Sequence, residues 1–204
     1  MPRYEPIGPG ELVARIAERV LARAGRAVVA VDGADAAEPE SLAAEVVSHL
    51  REVGRAAASV PLHGYVRPAS LRLEYGRDDV GSYRDAWFDY AALDREVLRA
   101  LRERGRYLPA LWDEAADRSA RAAIRDASAG TVLIVSGPML LGRGLAFDHT
   151  VRLVLTEPAL LRRTPEDQRW TIPALLAHAA EHPEEPDFAV RWDHPGKPAL
   201  RIAD

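Results

Sequence analysis

Five stretches of this chain are mainly apolar: residues 26–33 (Arg-Ala-Val-Val-Ala-Val-Asp-Gly), 56–60, 131–137 (Thr-Val-Leu-Ile-Val-Ser-Gly), 150–156 and 188–192. Their apolar side chains stand at consecutive positions rather than alternate ones, so a strand built from them is apolar on both faces and must be covered on both. Between them, residues 10–24, 41–53, 90–104, 158–163 and 171–182 carry apolar residues at helical spacing. Strands of this kind separated by helices predict an α/β fold, with a mostly parallel sheet of about five strands between two helical layers. Such sheets take ligands beyond the carboxyl ends of their strands. The loops after Val31, Val60, Val135 and Leu155 are therefore the places to look for function.

Composition narrows the chemistry. The 204 residues predict one domain, 1–204. With a net charge of −4, no basic field draws nucleic acid or an anionic membrane. Cysteine is absent, which removes thiolate metal sites and cysteine nucleophiles. No run approaches a membrane span, and the N-terminus has no signal-like apolar core, so a cytoplasmic protein is expected. Lys197 is the single lysine among 27 basic residues. Any mechanism that needs a lysine elsewhere is excluded.

The loop after the first apolar run, Val-Asp-Gly33-Ala-Asp35-Ala-Ala-Glu38-Pro39-Glu40-Ser41, stands between strand and helix, the setting of a phosphate-binding loop. Further along come Val66-Arg-Pro-Ala-Ser-Leu-Arg-Leu-Glu-Tyr-Gly-Arg77, Ser82-Tyr-Arg-Asp-Ala-Trp-Phe-Asp-Tyr90 and Tyr107-Leu-Pro-Ala-Leu-Trp-Asp113. Met139-Leu-Leu-Gly-Arg-Gly-Leu-Ala-Phe-Asp148 and Leu161-Arg-Arg-Thr-Pro-Glu166 with Trp170-Thr-Ile-Pro173 follow. In order and spacing, from about residue 26 onward, these pieces resemble the uridine-kinase-like branch of the P-loop kinases, in particular an actinobacterial nucleoside kinase-like subgroup. The resemblance implies a three-layer P-loop NTPase-type fold. It implies an N-terminal helix in 1–25, an acceptor-type region in 61–129 and a lid-like region in 157–182. It also implies ATP and Mg²⁺ as cofactors and phosphorylation of a nucleoside or similar hydroxyl acceptor.

Against that pattern the reactive positions are changed. The subgroup reads Val-Asp-Gly-x-Asp-Gly-Ala-Gly-Lys-Thr-Thr in this loop. Here Ala36 and Glu38 stand for glycines, Pro39 for the lysine and Glu40 for the first threonine. Phosphoryl transfer needs loop N–H groups and a lysine on the phosphates, a hydroxyl and an acid on Mg²⁺, and a residue that handles the acceptor. Pro39 removes a charge and an N–H together, while Glu38 and Glu40 add negative charge where a polyanion would sit. Gly33, Asp35 and the Ser41 hydroxyl remain as a remnant. As a structural alternative, Pro39-Glu40 simply makes a good first helical turn. His63 stands where the resemblance places an acceptor-orienting acid, and could serve as a base. Ser136 stands where it places the Walker-B acid.

Arginine and aromatic residues are left to form a pocket. By the resemblance Tyr65, Arg67, Tyr83 and Trp87 fall in the acceptor-like pocket, and Arg162, Arg163 and Arg169 in the lid-like region. Guanidinium groups bind phosphate and aromatic rings stack bases. His178-Ala-Ala-Glu-His182 spells a zinc-protease pattern, but Pro183 ends its helix at once, and no metal site is expected. Three functions follow from these residues. The first is a degenerate kinase-like protein, a pseudokinase binding a nucleoside, a phosphate compound or a partner. The second is an active kinase using arginines and His63, and the third is a homo-oligomeric interaction module.

Overall fold

The structure, a computed structural model, describes residues 3–202. The apolar runs form β2 (Ala27–Asp32), β3 (Ala57–Pro61), β4 (Val132–Gly137), β5 (His149–Val154) and β6 (Phe188–Arg191). All five are parallel, and two further antiparallel strands, β1 (Arg3–Pro6) and β7 (Ala199–Ile202), extend the edge beyond β6. The sheet therefore has seven strands in the order β1-β7-β6-β5-β2-β4-β3, two more than expected. Both added strands are four residues long and lack a long apolar run. Pro6 is tolerated in β1 because an edge strand leaves one row of donors unused.

Both faces are covered. Helices α1 (Pro9–Leu21) and α2 (Pro39–Glu52) pack Leu12, Ile16, Val20, Leu42, Val46 and Leu50 against Val29, Val31 and Ile134. On the opposite face, α4 (residues 90–104, with a π-helical middle at Asp94–Arg99) packs Leu93, Val97, Leu98 and Leu101 against Val28, Ala30, Leu133 and Val135. Alternate residues of β2 and β4 thus enter opposite cores, which is why both runs carry apolar residues at successive positions.

The stretch between β3 and β4 holds α3 (Val80–Asp85), α4 and two hairpins of two-residue strands, Trp112–Asp113 with Arg118–Ser119 and Arg106–Tyr107 with Arg125–Asp126. Leu111 N–H donates to the Gly64 carbonyl at 2.7 Å, and a Cβ on Gly64 would lie 2.9 Å from that of Ala110. Glycine at 64 therefore lets the 108–114 segment lie against the end of β3. After β5 come α5 (Glu157–Arg163) and α6 (Ile172–Glu181). No helix among the described residues is long and apolar enough to cross a membrane.

Candidate functional site

Strand β2 lies between β4 and β5. The chain leaves β2 toward the β3–β4 side and later crosses to the β5–β6 side, so the switch in direction falls at the carboxyl end of β2. Asp32 closes that strand. Its carboxylate accepts from Leu140 N–H at 2.9 Å and from Arg152 Nε at 3.3 Å. Burial pushes this carboxyl up from its ordinary range, and the two donors oppose that rise.

The following loop spends several of its N–H groups on carbonyls of the chain itself. Gly33 N–H donates to the Gly137 carbonyl at 3.1 Å. Asp35–Ala37 form a 3₁₀ turn, in which Ala37 N–H donates to Ala34 O at 2.7 Å and Glu38 N–H to Asp35 O at 2.8 Å. Glu38 sits at φ 54° and ψ 51°, the left-handed region that glycine enters freely and that costs other residues about 1–2 kcal/mol. Pro39 then opens α2 without an N–H, and Ser41 N–H returns to Glu38 O at 3.0 Å. Four positions that could face an anion are thus spent internally or lack a donor.

Above the loop is a cleft of about 790 Å³. Asp35, Glu38, Glu40 and Ser41 form its floor, and His63, Glu114, Tyr83, Trp87, Arg163 and Trp170 rise around it. His63 bridges floor and wall. Its Nδ1 lies 2.8 Å from Glu114 Oε2 and its Nε2 lies 3.1 Å from Asp35 Oδ1. Burial alone would lower its pKa, but hydrogen bonds and charge from the two carboxylates override this and push it up to about 10. A carboxylate oxygen at each ring nitrogen favours the imidazolium, which donates both N–H groups and leaves no ring lone pair free. Glu114 is held below its usual range despite partial burial, by His63, Arg72 and Trp87. Arg72, 6 % exposed, donates to Glu114 Oε1 at 3.0 Å and to the Arg67 carbonyl at 2.6 Å, and its guanidinium stands 4.9 Å from the Trp87 ring centre.

A pH dependence follows from His63. Its folded pKa lies above the free value near 6.5, so its contribution to stability is complete below that pH and is lost as pH rises toward about 10. Urea midpoints of the wild type and His63→Gln are expected to converge over this window. Parallel curves would contradict the cationic assignment.

The other sequence candidates divide. Asp35, Ser41, His63, Tyr83, Trp87 and Arg163 come together around the cleft. Arg163 donates to the Trp192 carbonyl at 3.0 Å and reaches Glu38 Oε1 at 3.5 Å, so the last residue of α5 meets the acid that stands in the loop. Tyr83, Trp87 and Trp170 form a triangle with ring centres 5.5–5.6 Å apart. Tyr65 is instead fully buried, its hydroxyl bonded to the Leu108 carbonyl, because the 108–111 segment closes over it. Arg67, Arg162 and Arg169 do not line the cleft. Arg162 and Arg169 lie at hydrogen-bonding range of their own neighbours, the carbonyls of Pro158 and Thr164. Gly33 lines a separate cavity of about 110 Å³ beside Asp32, Arg152 and His178.

The zinc-like pattern is absorbed by the fold. His178 is buried with Nε2 2.7 Å from the Leu141 carbonyl, and Glu181 pairs with Arg84 at 2.8 Å. Ser136 is fully buried and its hydroxyl has no partner among the described residues. Lys197 lies in the turn between β6 and β7. Sequence reasoning missed Glu114 and Arg72. Glu114 follows directly on the Tyr107–Asp113 segment, and Arg72 lies inside Val66–Arg77, so the signal available was their place in those segments.

No protein-family model matches the chain, and no curated protein matches it in sequence. Solved structures do. A protein from Bacillus stearothermophilus described as a possible uridine kinase superposes with a TM-score of 0.71 at 18 % identity, over 87 % of this chain and 96 % of its own. A candidate fructose transport system kinase from Silicibacter sp. TM1040 gives 0.61 at 23 % identity, over 85 % of this chain and 89 % of its own. D-glycerate 3-kinase from Cryptococcus neoformans gives 0.52 at 14 % identity, over 86 % and 81 %. At these identities the likeness is one of fold.

Proposed function

We propose, for a chain with the P-loop kinase fold, that phosphoryl transfer has been lost and that the cleft persists as a binding site for a small molecule. The observation that carries this reading is the loop after β2. Its left-handed position is occupied by a glutamate, its next residue is a proline, and its N–H groups at 37, 38 and 41 are bound to loop carbonyls. A triphosphate there would meet Asp35, Glu38 and Glu40 with no lysine to offset them. Like charges about 4 Å apart repel by roughly 4 kcal/mol at an effective dielectric of 20.

The residues present also do not fit Mg²⁺ with ATP. Ser136 offers no carboxylate and is sealed in the core, and Glu40, although its carboxylate could ligand Mg²⁺, repels the phosphates that would share the ion. The reading of an active kinase with His63 as base needs a lone pair on that ring. The hydrogen bonds to Asp35 and Glu114 oppose this.

Titration calorimetry with Mg-ATP at millimolar concentration is expected to give no measurable heat of binding, and uridine or cytidine with ATP no turnover. Turnover that disappears in His63→Gln would overturn the proposal.

A further inference from the structure

We propose that the cleft selects a small organic cation, an amine or amidinium joined to a flat apolar body. The inference rests on the reading of a binding site without phosphoryl transfer, and it reverses the ligand charge that a phosphate-binding loop implies. Three observations carry it.

The first is charge. Four carboxylates line the cleft, Asp35, Glu38, Glu40 and Glu114, against two cations, His63 and Arg163. Both cations are already committed: His63 to Asp35 and Glu114, Arg163 to Glu38. With Arg72 also paired to Glu114 from beside the cleft, one negative charge remains in excess, and Glu40 has no ion pair among the described residues. The positive end of α2 would ordinarily favour an anion, but Glu38 and Glu40 supply that negative charge from within the chain.

The second is the aromatic wall. Ring faces carry negative charge density and attract cations. The wall of Tyr83, Trp87 and Trp170 already receives one guanidinium, that of Arg72 over Trp87 at 4.9 Å. That contact is a working instance of the proposed chemistry at the edge of the same site.

The third is Tyr83. It is 4 % exposed and lines the cleft, yet its hydroxyl makes no hydrogen bond among the described residues. Burial raises its pKa well above the usual value, and the nearby charges of Asp35 and Glu114 add to the rise, so the phenol stays neutral. A neutral, unpartnered hydroxyl on an otherwise buried ring that lines the cleft is an acceptor suited to an N–H donor of a bound cation.

Three isosteres separate charge from shape: benzamidine is a planar cation, benzamide is neutral and benzoate is an anion. The indole N–H resonances of Trp87 and Trp170 report occupancy by nuclear magnetic resonance. Benzamidine is expected to shift both and to bind about tenfold or more tightly than benzamide, with benzoate weakest. The double variant Glu38→Gln/Glu40→Gln, altered only at exposed side chains, is expected to lose most of that preference. Equal or tighter binding of benzoate would overturn the proposal, as would a benzamidine preference that survives the double variant. The two readings fail separately. Turnover of ATP would defeat the loss of phosphoryl transfer whatever the amidine series gives. An absent amidine preference without turnover would defeat only the ligand assignment.

Discussion

Arg72→Ala is expected to destabilise the folded chain by about 2–4 kcal/mol. Arg72, 6 % exposed, lies beside the cleft in contact with its wall residues Glu114 and Trp87, and it does three things at once. It bonds Glu114, it bonds the Arg67 carbonyl, and it stacks on Trp87. Breaking a buried pair by removing one partner costs about 3–5 kcal/mol, because the other charge is left uncompensated. Glu114 keeps about a third of its side chain exposed and keeps His63, which lowers that figure. Equilibrium urea unfolding measures the loss. Arg72→Lys is expected to recover only part of it, since an ammonium reproduces neither the fork of donors nor the stacked plane. A stability change within experimental error for Arg72→Ala would mean that the charge network is ornamental. A normal near-ultraviolet spectrum with shifted Trp87 signals would separate local loosening from general unfolding.

The second large effect concerns the loop. A chain carrying Ala36→Gly, Glu38→Gly, Pro39→Lys and Glu40→Thr together loses two negative charges and gains one positive charge beside the start of α2. It also frees the left-handed position and restores an N–H at 39. Affinity for ATP or inorganic triphosphate is expected to rise by about 100-fold or more, into a range calorimetry can measure. The glycine at 38 is expected to offset its loss of the exposed Arg163 contact, because an exposed pair is worth about 0–1 kcal/mol and the left-handed glutamate costs about as much. Turnover is not expected to return, since Ser136 still gives no carboxylate and His63 is still clamped. A well-folded quadruple variant without added affinity would show that these four side chains are not the obstacle.

Much of the scaffold can be read in the sequence, for a definite reason. Strands β2 and β4 are apolar at successive positions up to their carboxyl ends because they are covered on both faces, so the runs locate them to within a residue. Helices α1, α2 and α4 declare themselves through residues such as Leu12, Ile16 and Val20, which recur along one face. Strands β1 and β7 escape because Arg-Tyr-Glu-Pro has no apolar pattern, and its pairing depends on a partner almost 200 residues away. The site is legible in the same uneven way. The residues at 38, 39 and 40 carry their meaning locally, through charge, a missing N–H and a backbone preference. The meeting of His63, Arg72 and Glu114 depends on hairpins with two-residue strands, which leave no periodicity to detect. Tyr65 shows the complementary failure. Its neighbourhood in sequence is that of the cleft, but a bond to the Leu108 carbonyl draws its hydroxyl into the core.

The antiparallel pairing of β1 with β7 has a consequence for how the chain assembles. Arg3–Pro6 takes all of its ladder hydrogen bonds from Ala199–Ile202, and β7 in turn docks on β6. Closing a loop of that length is entropically slow compared with the βαβ contacts inside it. During synthesis, the segment that leaves the ribosome ahead of the sheet has no neighbour until residues near 202 have followed. Among the described strands, β1 is made before the strand it pairs with, and until β7 docks, β6 presents an open edge.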